Sequence, residues 1–246
     1  MSSPNIIIGN SVDQIFARTA RNLFKLGIES APRGQKTLEL RNAWLEISNP
    51  GDGICRLPSR SIDLKYLEGE LAWYLSGSLK VADIEKHSKF WSKLADSNGT
   101  VNSNYGFLTM IEKHGGLSQV EWCIRQLKAD PETRQAIMNY NQPRHKYAGN
   151  KDFVCTISQE FRADQWGNLN TVVHMRSNDL IFGLTFDLPW FSYVQKLIAD
   201  EVGLKIGSYS HFASSLHVYE RHFDMLREIA TELPDEWDKD WDKKNS

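Results

Sequence analysis

The sequence predicts an α+β fold, and three observations carry that reading. Helical and strand-like hydrophobic periods are interleaved along the chain without the regular strand–helix alternation of a parallel α/β protein. No repeat or linker divides the 246 residues, so the chain reads as one domain spanning 1–246. Apolar residues make up 41% and charged residues 24%, the balance of an ordinary globular chain long enough to bury a substantial core.

Ser11 and Gln14 have the spacing of a capping box. Behind them Val12, Ile15, Phe16, Thr19, Leu23 and Leu26 recur at helical spacing, and Gly27 suits the stop. Residues 31–36 form a polar turn around Pro32 and Gly34, and the alternation Thr37-Leu38-Glu39-Leu40 predicts a strand. The Gly-, Pro- and Ser-rich stretch 49–61 is a loop; Leu64, Leu67, Leu71, Tyr74 and Leu75 then mark a second amphipathic helix. A third helix starts at Ser118 with Glu121 three residues on, buries Val120, Cys123, Ile124 and Leu127, and stops at Asp130-Pro131. Strands are predicted over 135–140, 153–162 and 169–176, with a polar loop over 141–152. A buried helix with Phe191, Val194, Leu197, Ile198 and Val202 on one face ends at Gly203. Residues 206–216 read as extended and 218–229 as helical. From Pro234 the tail is charged apart from Trp237 and Trp241, as a solvated terminus would be.

Composition narrows the function classes. A net charge of -2 offers no global basic field, which argues against polymeric nucleic acid as a partner; a nucleotide monomer needs only a local arginine cluster. Cys55, Cys123 and Cys155 are odd in number, widely spaced and free of any CxxC, so neither a disulfide framework nor a zinc site is expected, and no metal is assigned. The N-terminus lacks a signal-peptide plan, and no apolar run approaches the about 20 residues that span a bilayer. The expectation is a reducing, cytoplasmic setting without membrane attachment.

Four groups of residues carry chemistry. Cys155 follows a basic loop containing Arg144, His145 and Lys146. A thiolate can add to C6 of a pyrimidine, make C5 a carbon nucleophile, and leave again. Arg176-Ser177-Asn178-Asp179 supplies a guanidinium fork and a hydroxyl for a phosphate. Asp187 stands alone eleven residues after Arg176, and His217-Val218-Tyr219 comes last.

The order and spacing of these residues resemble the thymidylate synthase family, and within it the phage deoxycytidylate hydroxymethylases. The likeness runs from about Arg33 to His222. It implies a three-layer α/β-type fold with a large mixed sheet, and a homodimer with its sheets back to back. It makes Cys155 the nucleophile, with Thr156 where thymidylate synthases usually carry histidine and Glu160-Phe161 where they carry Gln-Phe. Arg176 and Ser177 match the phosphate-binding pair, Arg33 a mobile phosphate arginine, and Arg134 a residue reaching the partner's phosphate site. Gln135 replaces the second arginine of that last signature. His217 and Tyr219 match the pair on the sugar 3'-hydroxyl, Glu70 the active-site glutamate, and Tyr105 the tyrosine near C5. Trp91 matches an aromatic against folate. Asp179 and Gly183 match positions around the pterin, Asp179 also bordering the nucleotide.

Asp187 takes the place of an asparagine that pairs with uracil. A carboxyl group accepts from the N4 amino group of cytosine, and one proton shared with N3 completes the pair. The bland alternative is that Asp187 caps the helix that follows. The implied reaction is transfer of a one-carbon unit from 5,10-methylenetetrahydrofolate to C5 of dCMP, giving 5-hydroxymethyl-dCMP. A CMP hydroxymethylase stays open because of Gln135. A dCMP 5-methyltransferase stays open too, although the polar tail 238–246 favours hydration over hydride transfer. From another class, the chain would be a non-catalytic nucleotide-binding protein; the joint presence of Cys155, Glu70, Arg176 and Tyr105 argues against it.

Overall fold

A computed structural model of the protein describes residues 5–233. The charged tail read from Pro234 onward, including the polar 238–246 stretch, lies outside the described residues. In chain order the elements are β1 (Asn5–Gly9), α1 (Val12–Leu26), β2 (Ile28–Ser30), β3 (Thr37–Ile47), α2 (Leu64–Ser76), α3 (Val81–Ile84), α4 (Gln119–Ala129), β4 (Ile137–Asn139), β5 (Thr156–Ala163), β6 (Asn168–Met175), β7 (Asn178–Asp179), α5 (Thr185–Val202), β8 (Lys205–Tyr219) and α6 (Phe223–Glu232). One mixed sheet runs β1-β3-β8-β6-β5-β4, with β2 on β3 and β7 on β8. The β1–β3 and β6–β8 pairs are parallel, and β3–β8, β5–β6 and β4–β5 antiparallel.

Side chains on the sheet alternate between two faces. The row Ile7, Leu45, His211, Val173 and Gln159, aligned by strand register, is buried. The neighbouring row Ile6, Trp44, Phe212 and His174 is exposed or half-buried. The helices therefore pack on one face and leave the other uncovered in the protomer. Helix α5 turns its apolar side to the core and keeps Lys196, Asp200 and Glu201 on a narrow solvent face. Leu188, Trp190, Phe191, Val194 and Ile198 are all fully buried. Above it lie α4 and α2, the latter through Tyr74 at 4.9 Å from Trp190 between ring centres. Sheet, buried helix and covering helices make three layers, as the resemblance implies. In β3, Leu40 and Ala43 are both buried although three apart; Asn42, at φ 52°, supplies the kink that brings both inward.

Several sequence expectations are refined. Ser11 caps α1 through the Gln14 amide, but the Gln14 side chain reaches back to Asn10 N and not to Ser11, so the box is not closed. At Ser118 and Glu121 both reciprocal bonds form. Strand β4 is only Ile137–Asn139, because Ile137 N turns onto the Gln135 carbonyl and breaks the extended run. Cys155 lies just before β5 and not inside a strand: Arg176 Nε and Nη2 take the carbonyls of Val154 and Phe153, and the ladder with β6 begins at Thr156. The predicted helix over 218–229 is a strand as far as Tyr219, since Leu216 and Val218 pair with Leu40 and Leu38 of β3; α6 starts at Phe223. Strand β1, a parallel partner of β3 reached through α1, was not read from the sequence at all. Among the described residues no helix is long and apolar enough to cross a membrane.

Gly106 closes the contact between the segment after Tyr105 and the end of α2. A Cβ there would penetrate the carbonyl oxygen of Tyr74, which is backbone and cannot rotate aside. Gly106→Ala is expected to destabilise the protein by about 2 kcal/mol or more. The urea midpoint measures this, and an unchanged midpoint would refute the contact.

Candidate functional site

Three stretches far apart in the chain meet beside the uncovered end of β5: α2, the segment 153–155, and the run from β7 into α5. Cys155 is half-buried, and its Sγ lies 3.3 Å from Arg176 Nη2. The Arg176 guanidinium also covers the Phe153 ring at 4.8 Å, so it is held as a lid on the thiol by its own backbone bonds. Burial pushes the Cys155 thiol up, and Arg176 and more weakly Arg33 pull it back; Asp187 and Asp152 add to the upward push. Cys55 and Cys123 have no such cation at hand, or too little: burial drives both to about 12. Of the three thiols, Cys155 alone combines partial exposure with a guanidinium contact.

Asp187 sits in the first turn of α5. It does not cap that helix: its Oδ2 accepts from Asn178 Nδ2 at 2.7 Å. The carboxyl is partly open to the cleft yet densely surrounded, and burial lifts its pKa to about 7 against the pull of Asn178. Asn178 is itself buried, held on β7 opposite Leu216 of β8. Gly183 lies against this pair; a Cβ there would stand 2.9 Å from Asn178 Nδ2 and 3.6 Å from Asp187 Oδ2. Asp179 caps the π-type turn Leu180–Leu184 by accepting from Ile181 N at 2.9 Å. Arg60, buried, donates to the Ile181 carbonyl and to Thr185 Oγ1, and its guanidinium lies between the rings of Phe182 and Phe186. It pins the turn that delivers Gly183 and Asp187.

Glu70 on α2 is 5% exposed. Its Oε1 accepts from Tyr66 OH at 2.9 Å, and Tyr66 in turn accepts from Trp91 Nε1 at 3.0 Å. Glu70 Oε2 is buried with no hydrogen-bond partner among the described residues. Burial raises the Glu70 pKa to about 8; the Tyr66 hydrogen bond opposes this and the Asp187 charge reinforces it. Two acids therefore stand within electrostatic reach of each other with pKa values near neutrality, a pattern common where protons are moved. Tyr105 is buried beneath them, stacked on Tyr74 at 5.2 Å, with its hydroxyl accepting from Thr156 Oγ1 at 2.9 Å. Thr156 thus holds the tyrosine from the position next to Cys155.

His217 is buried on β8, paired in register with Asp179, and meets the Tyr219 ring edge-on at 5.2 Å. Ser177 is half-buried between Arg176 and Asn178. Arg33 is exposed, in a positive-φ turn, and near enough to Cys155 to influence its titration. Arg134 is exposed on the turn before β4 and does not join this cluster within the protomer. Trp91 is buried against Trp73 and next to Phe90, which is 57% exposed. Phe90 meets Trp91 edge-on, Trp91 donates to Tyr66, Tyr66 meets Phe186 edge-on at 4.8 Å, and the Arg60 guanidinium links Phe186 to Phe182, the neighbour of Gly183. Among the described residues no group of three or more His, Cys, Asp or Glu is placed to hold a metal ion.

Two residues that hydrogen-bond the acids of this cluster, Tyr66 and Asn178, were missed by sequence reasoning. Tyr66 had a signal, since it stands four residues before Glu70 on one helix face. Asn178 sat inside the quoted Arg-Ser-Asn-Asp run, but nothing in sequence places it opposite Asp187 nine residues on.

Comparisons with known proteins place the chain by family and fold. The family model for thymidylate synthase matches residues 14–239. The deoxycytidylate 5-hydroxymethyltransferase of Enterobacteria phage T4 is 36% identical over 205 residues, covering 78% of this chain and 80% of that protein. The deoxyuridylate hydroxymethyltransferase of Bacillus phage SP01 is 30% identical over 223 residues, 86% of this chain and 58% of that protein. Among solved structures, thermostable thymidylate synthase A from Bacillus subtilis superposes with a TM-score of 0.75 over 90% of this chain and 84% of that one, at 23% identity.

The raised acids predict a pH signature. Glu70 keeps its proton in the fold up to about 8, whereas the unfolded side chain releases it near 4.5. The folded state binds the extra proton, so this group costs stability progressively as pH climbs from about 4.5 to about 8 and no further above. Glu70→Gln removes the cost. The variant should match the wild type near pH 4 and exceed it at pH 8 by on the order of 2–4 kcal/mol in urea unfolding. A stability difference that does not vary with pH would contradict the raised pKa.

Proposed function

The chain belongs to the thymidylate synthase family, and from that premise we propose that it hydroxymethylates the cytosine base of dCMP at C5. The observation that carries the choice of base is the Asp187 carboxyl held by Asn178 at 2.7 Å: in its neutral form it can donate to N3 while accepting from the N4 amino group. The names of the curated relatives, one acting on deoxycytidylate and one on deoxyuridylate, support a pyrimidine deoxynucleotide.

In this reading Arg176, Ser177 and Arg33 hold the 5'-phosphate, and His217 and Tyr219 the 3'-hydroxyl. Arg176 has two duties, since its guanidinium is also the cation at Cys155 Sγ. Phosphate drawing on that guanidinium would uncover the thiol as the nucleotide enters. Cys155 Sγ adds to C6, and Asp187 holding a proton toward N3 lets the ring accept the electron pair. The C5 hydrogen leaves as a proton in reach of Tyr105, whose hydroxyl is oriented by Thr156. Glu70 Oε2, buried and free, positions the water whose hydroxyl ends in the product. Cys155 is released last. The net change replaces C5–H by C5–CH2OH, with one water consumed and tetrahydrofolate as the other product.

The one-carbon donor is 5,10-methylenetetrahydrofolate, which supplies a carbon at the oxidation level of formaldehyde. This run of aromatic rings fits it: Phe90 and Phe182 are 57% and 53% exposed, large flat surfaces for a pterin, with Asp179 and Gly183 at the far end. The whole chain acts as one catalytic domain, in the cytoplasm where its thiol stays reduced. It works as a homodimer through the bare sheet face of Ile6, Trp44, Val172 and Phe212, which offers Arg134 a route to the partner's phosphate site.

Incubation of the protein and 5,10-methylenetetrahydrofolate with C5-tritiated dCMP, CMP or dUMP tests the reading. Tritium release is expected from dCMP first, with a product heavier by CH2O; a gain of CH2 would mean methylation, and preference for CMP a ribonucleotide enzyme. Cys155→Ser should abolish release, and full activity in that variant would end the covalent mechanism. For the dimer, Trp44→Arg is expected to give monomers in sedimentation velocity with weaker dCMP binding; a stable dimer would place the interface elsewhere.

A further inference from the structure

We propose that Asn178 is the positioning residue that makes Asp187 select cytosine over uracil, by donating to Oδ2 and so confining the acid proton to Oδ1. The inference rests on the proposed reading of Asp187 as the group that faces the base.

A neutral carboxylic acid presents one donor and one acceptor, and the two oxygens can exchange those roles. Cytosine offers a donor at N4 beside an acceptor at N3. Uracil offers an acceptor at O4 beside a donor at N3. The same acid in the same place therefore pairs with either base, simply by carrying its proton on one oxygen or the other. The carboxyl group by itself distinguishes the two poorly. Something must fix the proton.

Asn178 does so. Its Nδ2 points an N–H at Asp187 Oδ2 from 2.7 Å. An O–H on that same oxygen leaves it a poorer acceptor for Asn178 than the carbonyl form does. The favoured acid has Oδ1–H and a bare Oδ2 that accepts from Asn178 with one lone pair and from the cytosine N4 amino group with the other. Uracil would require the proton on Oδ2, facing O4, at the expense of the Asn178 bond.

The surroundings are built for this one bond. Asn178 is 2% exposed and fixed on β7 by pairing with β8. Its Oδ1 is buried with no partner among the described residues. A buried amide half unsatisfied costs stability, about 1–3 kcal/mol for the orphaned group. An apolar side chain would fill the space without that cost, so packing alone does not account for the amide. Gly183 completes the arrangement, because any Cβ at that position would press on Nδ2 from 2.9 Å.

The test is the ratio of kcat/KM for dCMP to kcat/KM for dUMP, at saturating 5,10-methylenetetrahydrofolate, in wild type, Asn178→Ala, Gly183→Ala and Asp187→Asn. A purely structural defect lowers both substrates alike and leaves the ratio unmoved. Asn178→Ala is expected to lower the ratio about tenfold, the scale of one hydrogen bond. Gly183→Ala, which displaces the same amide from the other side, should lower it in the same direction and serves if the first variant does not fold. Asp187→Asn should reverse the preference. If Asp187→Asn shifts the ratio while the Asn178 and Gly183 variants leave it at the wild-type value, the role of Asn178 is overturned and base reading by Asp187 stands. If Asp187→Asn also leaves the ratio unchanged, both readings fall.

Discussion

The site is organised around a carboxyl group that the fold buries without a cation. Among the described residues Asp187 has one hydrogen-bond donor, an amide, and no arginine or lysine in contact. A carboxylate so placed is expensive, and the protein responds by holding the proton. That proton changes what the residue can do: an ionised aspartate only accepts, while the neutral acid also donates. The same burial reaches Glu70, Cys155 and Tyr105, each of which is shifted upward mainly by its own desolvation and further by the Asp187 charge. Protonation of Asp187 removes one of the charges that hold the Cys155 thiol up, so the titrations of the two groups are coupled through one field.

The architecture serves this arrangement by bringing short, irregular segments to the edge of a rigid sheet. Cys155 precedes β5, Arg176 follows β6, and Asn178 and Asp179 pair with β8 as the short strand β7. A π-type turn pinned by Arg60 then leads into α5, whose first turn carries Asp187. Helix α2 lies across the opening with Tyr66 and Glu70 on its inner side. Cys155 and Arg176 stand on irregular backbone at strand ends, Asp187 and Glu70 on helices, and the elements beside them are among the most deeply buried in the molecule. Such support keeps a site preorganised.

Much of this was legible in the sequence where chemistry depends on residue type and local spacing. The helices at Val12, Leu64 and Ser118, the strand of β6 with Leu169, Thr171, Val173 and Met175 facing inward, and the cluster of Cys155, Arg176, Asp187 and Glu70 all followed from pattern and resemblance. What escaped depends on tertiary register. Strand β1 is five residues long and exists only because β3 offers a parallel edge. Cys155 leaves the strand because a distant guanidinium takes the carbonyls beside it. Tyr219 joins a strand because Thr37 lies opposite. Asn178 reads as an ordinary polar residue until the turn at Leu180–Leu184 brings Asp187 back against it. The bland alternative, a helix cap at Asp187, does not hold because α5 starts at Thr185 and places Asp187 inside its first turn.

The central claim is that Asp187 meets the Watson–Crick edge of cytosine as a proton donor to N3. The most direct measurement is the nitrogen NMR spectrum of dCMP labelled at N3 and N4, bound to the protein without folate. The account predicts that N3 moves strongly toward the hydrogen-bonded, protonated position on binding, and that the shift vanishes with Asp187→Asn. An N3 resonance unchanged from free dCMP in the bound complex would contradict it.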